Sequence, residues 1–175
     1  VRDTLCDAVL GWPRAQMRVL VGDVGGGFGM KTGVYPEDGV VAFAARDLKR
    51  AVKWVADRSE EFVASAHGRD IQAHAELALA ADGRILGLRV HSRANVGAYG
   101  TGTGVAIQLL IGPWVQTSVY DIQTIDFRFQ AVLTNTAPTG AYRGAGRPEA
   151  IFNIERLMDE AARQSGIDRI QLRRR

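Results

Sequence analysis

The glycine loop, residues 24–32, is the segment of the chain best suited to hold a ligand. It reads Val-Gly-Gly-Gly-Phe-Gly-Met-Lys-Thr and directly follows the apolar stretch 17–21. Consecutive glycines permit left-handed backbone angles and a close approach to a ligand, and their N–H groups can converge on an anion. The spacing therefore predicts a loop that holds a ligand.

Three interpretations of this loop follow from spacing alone. The dinucleotide fingerprint Gly-x-Gly-x-x-Gly fails when counted from Gly25, because Met30 occupies the third glycine position. The phosphate loop of nucleotide triphosphatases is a near miss, since Gly25, Lys31 and Thr32 fit but Met30 again replaces a glycine. A tight strand-to-helix turn without a ligand also fits the pattern.

A second candidate site lies in the segment Thr136–Glu149. Its core, Ala-Tyr-Arg-Gly-Ala-Gly-Arg-Pro-Glu over residues 141–149, is called the arginine loop. Arg143 and Arg147 precede a predicted helix, so two guanidinium groups and free N–H groups could face one anionic ligand. The alternative is that the two arginines only tether loop carbonyl groups.

Composition excludes several classes of protein. The 175 residues are 46% hydrophobic and 23% charged, which is typical of a globular chain, and the net charge of +3 gives no nucleic-acid surface. One cysteine, Cys6, fits a reducing compartment, and no apolar stretch reaches membrane-spanning length. We therefore expect a soluble, cytoplasmic protein that binds neither nucleic acid nor membrane. We expect no histidine metal site, since His67, His74 and His91 do not cluster.

Periodicity predicts the elements that would position these loops. In chain order these are a buried strand over 17–23, a helix from Pro36 packed on a sheet, a strand over 52–56, a hairpin of 71–79 and 85–90, a second glycine-rich loop over 97–104, a strand over 122–133, and a helix from Pro148 to Gly166. The sum is an α+β, two-layer fold with a mixed sheet and helices on one face. The chain begins without methionine, so we expect a fragment, with two lobes at about 1–70 and 71–175.

Several motifs in order resemble one family. They are the glycine loop, Ala51–Phe62 (Ala-Val-Lys-Trp-Val-Ala-Asp-Arg-Ser-Glu-Glu-Phe), His67-Gly-Arg-Asp70, Asp82-Gly-Arg, Ala94–Tyr99 (Ala-Asn-Val-Gly-Ala-Tyr) and the arginine loop. The order is similar to that in molybdopterin-binding large subunits of the xanthine dehydrogenase and aldehyde oxidase family. The arginine loop most resembles the form II carbon monoxide dehydrogenase large subunit.

This resemblance implies a cofactor and a set of partners. The cofactor would be molybdopterin with molybdenum, in the cytosine dinucleotide form, held by a fragment of a molybdopterin-binding domain. Iron–sulfur clusters would lie on a small partner subunit and FAD on a medium one, in a dimer of heterotrimers with the remainder of the large subunit. By residue match, the cofactor contacts would be Gly26, Gly27, Phe28, Gly29, Arg143, Gly144 and Ala145, with Phe28 and Arg143 on the substrate side.

Two departures from the family patterns reduce the number of reactions that the resemblance implies. Gly144 stands where form I carbon monoxide dehydrogenases have a copper-binding cysteine, and Thr32 stands where xanthine-oxidising members have a glutamate. The resemblance therefore implies hydroxylation of an aldehyde or N-heteroaromatic carbon, with water as the oxygen source. The general-base glutamate is expected downstream, so no catalytic residue is assigned here. Glu60, Glu61 and Glu149 are interpreted as structural, with Glu60 or Glu61 paired to Arg58.

Other functions remain open at this point. The chain could be a non-catalytic cofactor-binding or assembly module with the same fold, and the phosphate-loop nucleotide-binding protein is a less favoured third possibility. As a fragment, the chain is expected to be inactive alone.

Overall fold

The computed structural model describes all 175 residues of the chain, which divide into two units. Unit 1 comprises residues 1–66 and unit 2 residues 67–175. None of the helices combines the length and apolar character needed to cross a membrane.

Unit 1 is helical and contains no strand. Its elements are α1 (Arg2–Thr4), which continues as a π-helical segment Leu5–Leu10, two 3-10 turns Arg14–Gln16 and Met30–Thr32, α2 (Pro36–Leu48) and α3 (Arg58–Ala64). Only Leu5, Cys6 and Gly39 are buried in this unit. Such a small core gives little hydrophobic stabilisation, because that term scales with the apolar area removed from water.

Helix α2 confirms the prediction of a helix that begins at Pro36. Proline fits the first helical turn, and the Asp38 carboxylate accepts a hydrogen bond from the Tyr35 N–H at 3.0 Å. The helix ends before Lys49, which has a left-handed φ of 52°. This helix was predicted to pack on a sheet, but unit 1 contains no sheet.

Two strand predictions in unit 1 are wrong. Residues 17–23 and 52–56 form no strand, and Leu20 and Val21 are 72% and 77% exposed. A short apolar run becomes a strand only when a neighbouring strand takes its N–H and C=O groups. Helix α3 was not predicted, although Asp57 followed three residues later by Glu60 is a capping pattern: the Asp57 carboxylate accepts from the Glu60 N–H at 2.8 Å.

Unit 2 contains a mixed three-stranded sheet. Its strands are β1 (Ile71–Leu79), β2 (Ile85–Gly97) and β3 (Ile125–Leu133), in the order β1-β2-β3. Strands β1 and β2 are antiparallel, which confirms the hairpin, and β2 and β3 are parallel. The last predicted strand therefore exists but begins at Ile125 rather than Ile122, and Ile122 packs in the core instead.

The core of unit 2 lies between this sheet and the C-terminal helices α6 (Arg147–Ser165) and α7 (Arg169–Arg173). Leu88 and Val90 of β2 meet Ile154 and Met158 of α6, all of them at most 3% exposed. Full burial of such side chains contributes roughly 1.5–3 kcal/mol each. Helix α6 ends at Gly166 with a φ of 73°, as predicted, and the mixed sheet with helices confirms the fold class.

A further helical stretch fills the connection between β2 and β3. It runs through α4 (Gly102–Ala106), a π-helical segment Ile107–Ile111 and α5 (Gly112–Trp114). The predicted glycine-rich loop over 97–104 is therefore shorter than expected, because β2 extends to Gly97 and the helix begins at Gly102. Thr101 caps the helix, since its hydroxyl accepts from the Gly104 N–H at 3.0 Å.

Candidate functional site

Left-handed backbone angles shape the glycine loop in unit 1. The φ angles of Gly26, Phe28 and Gly29 are 144°, 48° and 100°. The Phe28 ring folds back over Gly26, where an added Cβ would lie 2.6 Å from Cε2 of the ring. The Phe28 residue is nevertheless 60% exposed.

Hydrogen bonds hold the second half of this loop. The Thr32 hydroxyl donates to the Gly29 carbonyl at 2.6 Å, and the Tyr35 hydroxyl donates to the Met30 carbonyl at 2.7 Å. The N–H groups of residues 25–27 donate no hydrogen bond within the chain. Three successive amides are thus available to an acceptor on a ligand.

The elements on either side of the glycine loop do not match a phosphate loop. A phosphate loop joins a strand to a helix. Here no strand precedes the loop, and a three-residue 3-10 turn, Met30–Thr32, follows it. The near match in sequence is therefore not accompanied by the corresponding architecture.

The arginine loop in unit 2 has an equally unusual backbone. Gly144, Ala145 and Gly146 take φ angles of 103°, 47° and 91° in succession. Two turns close it, since the Ala145 N–H donates to the Tyr142 carbonyl at 2.8 Å and the Arg147 N–H donates to the Gly144 carbonyl at 3.1 Å. Non-glycine residues in this region are strained, so surrounding contacts must maintain the conformation.

Both glycines of the arginine loop pack against their surroundings without room for a side chain. A Cβ at Gly144 would lie 2.6 Å from Cδ of Pro148, and one at Gly146 would lie 3.0 Å from the Gly112 nitrogen. The loop therefore rests directly on the first residue of α5 and on its own proline.

Arg69 makes three contacts with this loop. Its guanidinium carbon lies 4.5 Å from the centre of the Tyr142 ring, and its Nη2 donates to the Arg143 carbonyl. Its Nε lies 3.5 Å from Oε1 of Glu149. Arg69 lies within the motif His67-Gly-Arg-Asp70, but its contacts to residues about 74 positions away leave no local signal in the sequence.

A β-bridge explains how Arg69 reaches the loop. The His67 N–H donates to the Pro138 carbonyl at 2.8 Å, and the His67 carbonyl accepts from the Gly140 N–H at 2.7 Å. Gly68 then lies so close to the loop that a Cβ there would be 2.9 Å from Cβ of Tyr142.

The two arginines of the loop have different environments. Arg147 Nη1 donates to the Gly144 carbonyl at 3.3 Å, so this side chain tethers a loop carbonyl, which was the alternative to a two-arginine anion site. The Arg143 residue is exposed, while its own carbonyl accepts from Arg69.

Two of the three glutamates assigned as structural, Glu60 and Glu149, have side-chain partners. Glu60 accepts from Trp54 Nε1 at 3.3 Å. Neither Glu60 nor Glu61 forms an ion pair with Arg58, so that predicted pairing is wrong. Glu149 pairs with Arg69, and its other carboxylate oxygen, Oε2, is buried without a hydrogen-bond partner.

Polar contacts anchor the helix that follows the arginine loop. The Tyr120 hydroxyl donates to Oε1 of Glu155 on α6 at 2.6 Å, and Nε of Arg173 donates to the other oxygen, Oε2, at 2.9 Å. Burial and the hydrogen bond to Glu155 raise the pKa of Tyr120 to about 12. The phenol therefore remains a donor throughout the neutral range.

Comparison with known proteins identifies the family. A family model described as the molybdopterin cofactor-binding domain matches residues 1–175. This chain belongs to the molybdopterin cofactor-binding domain family. The resemblance to xanthine dehydrogenase family large subunits is thus confirmed.

Relatives of this domain are much longer chains. The gamma subunit of a 6-hydroxypseudooxynicotine dehydrogenase complex from Paenarthrobacter nicotinovorans is 37% identical over 172 residues, covering 95% of this chain and 21% of the relative. The carbon monoxide dehydrogenase large chain of Hydrogenophaga pseudoflava is 37% identical over 173 residues, covering 97% and 21%. The chain spans about a fifth of the length of these relatives.

Solved structures share the fold of this domain. Quinoline 2-oxidoreductase from Pseudomonas putida 86 superposes with a TM-score of 0.93 at 36% identity, over 100% of this chain and 22% of that chain. Carbon monoxide dehydrogenase from Oligotropha carboxidovorans gives a TM-score of 0.89 at 32% identity, over 98% and 22%. The family and the fold class rest on these matches, and the roles of individual residues remain predictions.

Proposed function

We propose that this chain is the part of a molybdenum hydroxylase large subunit that supplies two cofactor-contacting loops. The contacts would come from Gly26, Gly27, Phe28 and Gly29 of the glycine loop and from Arg143, Gly144 and Ala145 of the arginine loop. The cofactor would be molybdopterin in its cytosine dinucleotide form.

The observation that carries this proposal is the row of uncovered amides at residues 25–27. An added Cβ at Gly25 meets nothing within 4 Å, so the backbone there is open to a ligand. Acceptor atoms of a pterin or of its phosphates match such donors, because backbone N–H groups need an acceptor once a ligand excludes water. The residues present therefore fit the cofactor.

The proposed reaction replaces a C–H bond of the substrate with a C–O bond. Its oxygen comes from water, and two protons and two electrons are released. The bound cofactor supplies the two-electron oxidant. The exposed ring of Phe28 would form a wall for a planar substrate, and the Arg143 guanidinium would stabilise negative charge that develops on it.

Copper-dependent oxidation of carbon monoxide does not fit the arginine loop. Gly144 has a φ of 103° and lies against Pro148, so a cysteine at this position would need a different backbone. The Thr32 hydroxyl is bonded to the Gly29 carbonyl and cannot replace the glutamate expected of a purine oxidiser.

An N-heteroaromatic ring is the substrate class we propose, ahead of an aldehyde. Two similar proteins are named as a nicotine 6-hydroxylase large subunit and a quinoline 2-oxidoreductase, at 36% identity each. A planar ring also suits an aromatic wall, because aromatic rings pack favourably in offset-stacked or edge-to-face arrangements.

The whole enzyme would contain further parts. We propose a small iron–sulfur subunit, a medium FAD subunit and a dimer of heterotrimers in the cytoplasm, with electrons leaving through the clusters. The general-base glutamate would lie in the remainder of the large subunit.

The test uses the full-length enzyme purified with its partner subunits. Its metals and nucleotide are analysed, and turnover is followed in ¹⁸O-labelled water with quinoline, nicotine, nicotinate, benzaldehyde and carbon monoxide. We expect molybdenum, cytidine nucleotide and ¹⁸O in a hydroxylated heteroaromatic product. An enzyme without molybdenum would contradict the proposed function, whereas preferred oxidation of benzaldehyde would move the substrate class to aldehydes.

A further inference from the structure

We propose that Arg69 is the positioning residue of the arginine loop and that it fixes the place from which Arg143 acts. This inference rests on the proposed role of Arg143 toward the substrate. Arg69 itself would touch neither substrate nor cofactor.

The contacts of Arg69 cover the loop from one end to the other. It stacks on the Tyr142 ring, donates to the Arg143 carbonyl and pairs with Glu149 at the start of α6. These partners are residues on both sides of the left-handed stretch 144–146. One guanidinium group therefore links the entry and the exit of the strained turn.

The conformation of Arg69 itself indicates a constrained position. Its φ is 62°, a strained value for a residue with a side chain. The β-bridge at His67 and the close approach of Gly68 to Tyr142 hold the backbone before this angle, and the Asp70 carbonyl after it accepts from the Asn95 N–H at 2.9 Å. The surrounding contacts thus specify both the backbone and the side chain of Arg69.

An arginine is needed for all three contacts at once. Its planar guanidinium stacks on a ring while its N–H groups donate in fixed directions, and lysine offers only a compact ammonium group. Glu149 depends on this partner, since its side chain is 15% exposed and Oε2 has no hydrogen-bond partner. Loss of Arg69 would leave a largely buried carboxylate without its countercharge.

The consequence for catalysis is specific. Because Arg69 holds the Arg143 carbonyl, its loss displaces the Arg143 side chain from the developing negative charge without removing it. A displacement of about 1 Å reduces turnover by up to about 100-fold. The effect should fall on kcat rather than KM, since charge stabilisation is exerted in the transition state.

The experiment compares Arg69→Gln, Arg69→Lys and the control Arg93→Gln in the full-length enzyme with its partner subunits. Arg93 is an exposed arginine on β2 of the same unit, and it forms no ion pair. Each variant is examined for molybdenum content, kcat, KM and hydrogen exchange of the peptide 141–149. Tyr142→Leu, which removes only the stacking, serves as a milder variant if Arg69→Gln does not fold.

For Arg69→Gln we expect exchange in 141–149 to be at least ~10-fold faster and kcat to be ~10–100-fold lower, with KM within ~3-fold. Molybdenum content should not change, Arg69→Lys should not restore kcat, and Tyr142→Leu should give smaller changes of the same kind. Arg93→Gln should match the parent enzyme.

Two results would overturn the proposal. Unchanged exchange in 141–149 would mean that Arg69 does not hold the loop, and faster exchange with an unchanged kcat would mean that its role is only structural. A parent enzyme without molybdenum would refute the proposed function instead, and the exchange of 141–149 would still decide whether Arg69 holds the loop.

Discussion

The glycine loop and the arginine loop both contain left-handed backbone angles, but contacts within the chain support the two loops to very different degrees. In the arginine loop, a neighbouring helix, a proline and Arg69 all contact the strained residues. In the glycine loop, three hydrogen bonds to the Gly29 and Met30 carbonyls hold the second half, and the N–H groups of residues 25–27 donate none within the chain. The units also differ, since unit 2 has a packed core and unit 1 has three buried residues.

This difference separates a preformed loop from one that needs a ligand. A strained conformation persists when the surrounding structure specifies it, as it does for 144–146. Uncovered donors gain their partners only when a ligand arrives. We therefore expect the arginine loop to keep its shape without cofactor and the glycine loop to become ordered with it.

The largest expected effect comes from adding a side chain at Gly146, where the arginine loop packs against Gly112. Gly146→Ala forces a side chain into a φ of 91° and against Gly112, with an expected loss of ~1–2 kcal/mol from the backbone and ~1–3 kcal/mol from overpacking. Thermal unfolding and hydrogen exchange of the full-length enzyme measure it. The control Gly166→Ala has a φ of 73° but no neighbour within 4 Å, and it isolates the backbone contribution. Equal losses in both variants would refute the packing argument.

Removing the Arg143 side chain should impair chemistry and leave the loop intact. Arg143→Ala is expected to lower kcat by about 100–1,000-fold, the range for a lost charge-stabilising donor, because the Arg69 bond is made to the Arg143 carbonyl rather than to its side chain. Steady-state kinetics and exchange of 141–149 measure the two parts. An unchanged kcat, judged against Arg93→Ala, would count against the site assignment.

Truncating Phe28 tests the exposed side of the glycine loop. Phe28→Ala should lower turnover about 10-fold through poorer substrate orientation, with little change in unfolding temperature because the ring is 60% exposed. Phe43→Ala is a matched control on α2, with 59% exposure. Equal turnover in the two variants would mean that Phe28 does not contact the substrate.

The smallest expected effect concerns the anchoring of α6. Tyr120→Phe removes the hydrogen bond to Glu155 and should cost ~0.5–1.5 kcal/mol at neutral pH. The folded-state pKa of Tyr120, about 12, lies above its ordinary 10.0, so this stabilisation is complete below pH 10 and is lost as the pH rises toward 12. The stability gap between parent and variant should therefore close over that window. A gap independent of pH would contradict this account.

Local patterns predicted the hairpin, α2 and α6, but not α3, and the contacts that shape the site were not predictable. The alternation around Asp82-Gly83 gave the hairpin, and the apolar face with Pro148 and Gly166 gave α6, because both signals lie within the element itself. The run 17–23 was misread since strand formation depends on a partner elsewhere. Arg69 was missed for the same reason: its three contacts join residues that are far apart in sequence.

The most direct test is hydrogen exchange of the full-length enzyme with and without its cofactor. We expect cofactor removal to accelerate exchange of residues 24–32 by at least ~10-fold, while exchange of residues 141–149 changes by less than ~3-fold. Equal exchange of the glycine loop in both states would contradict the central claim that a bound cofactor completes this loop.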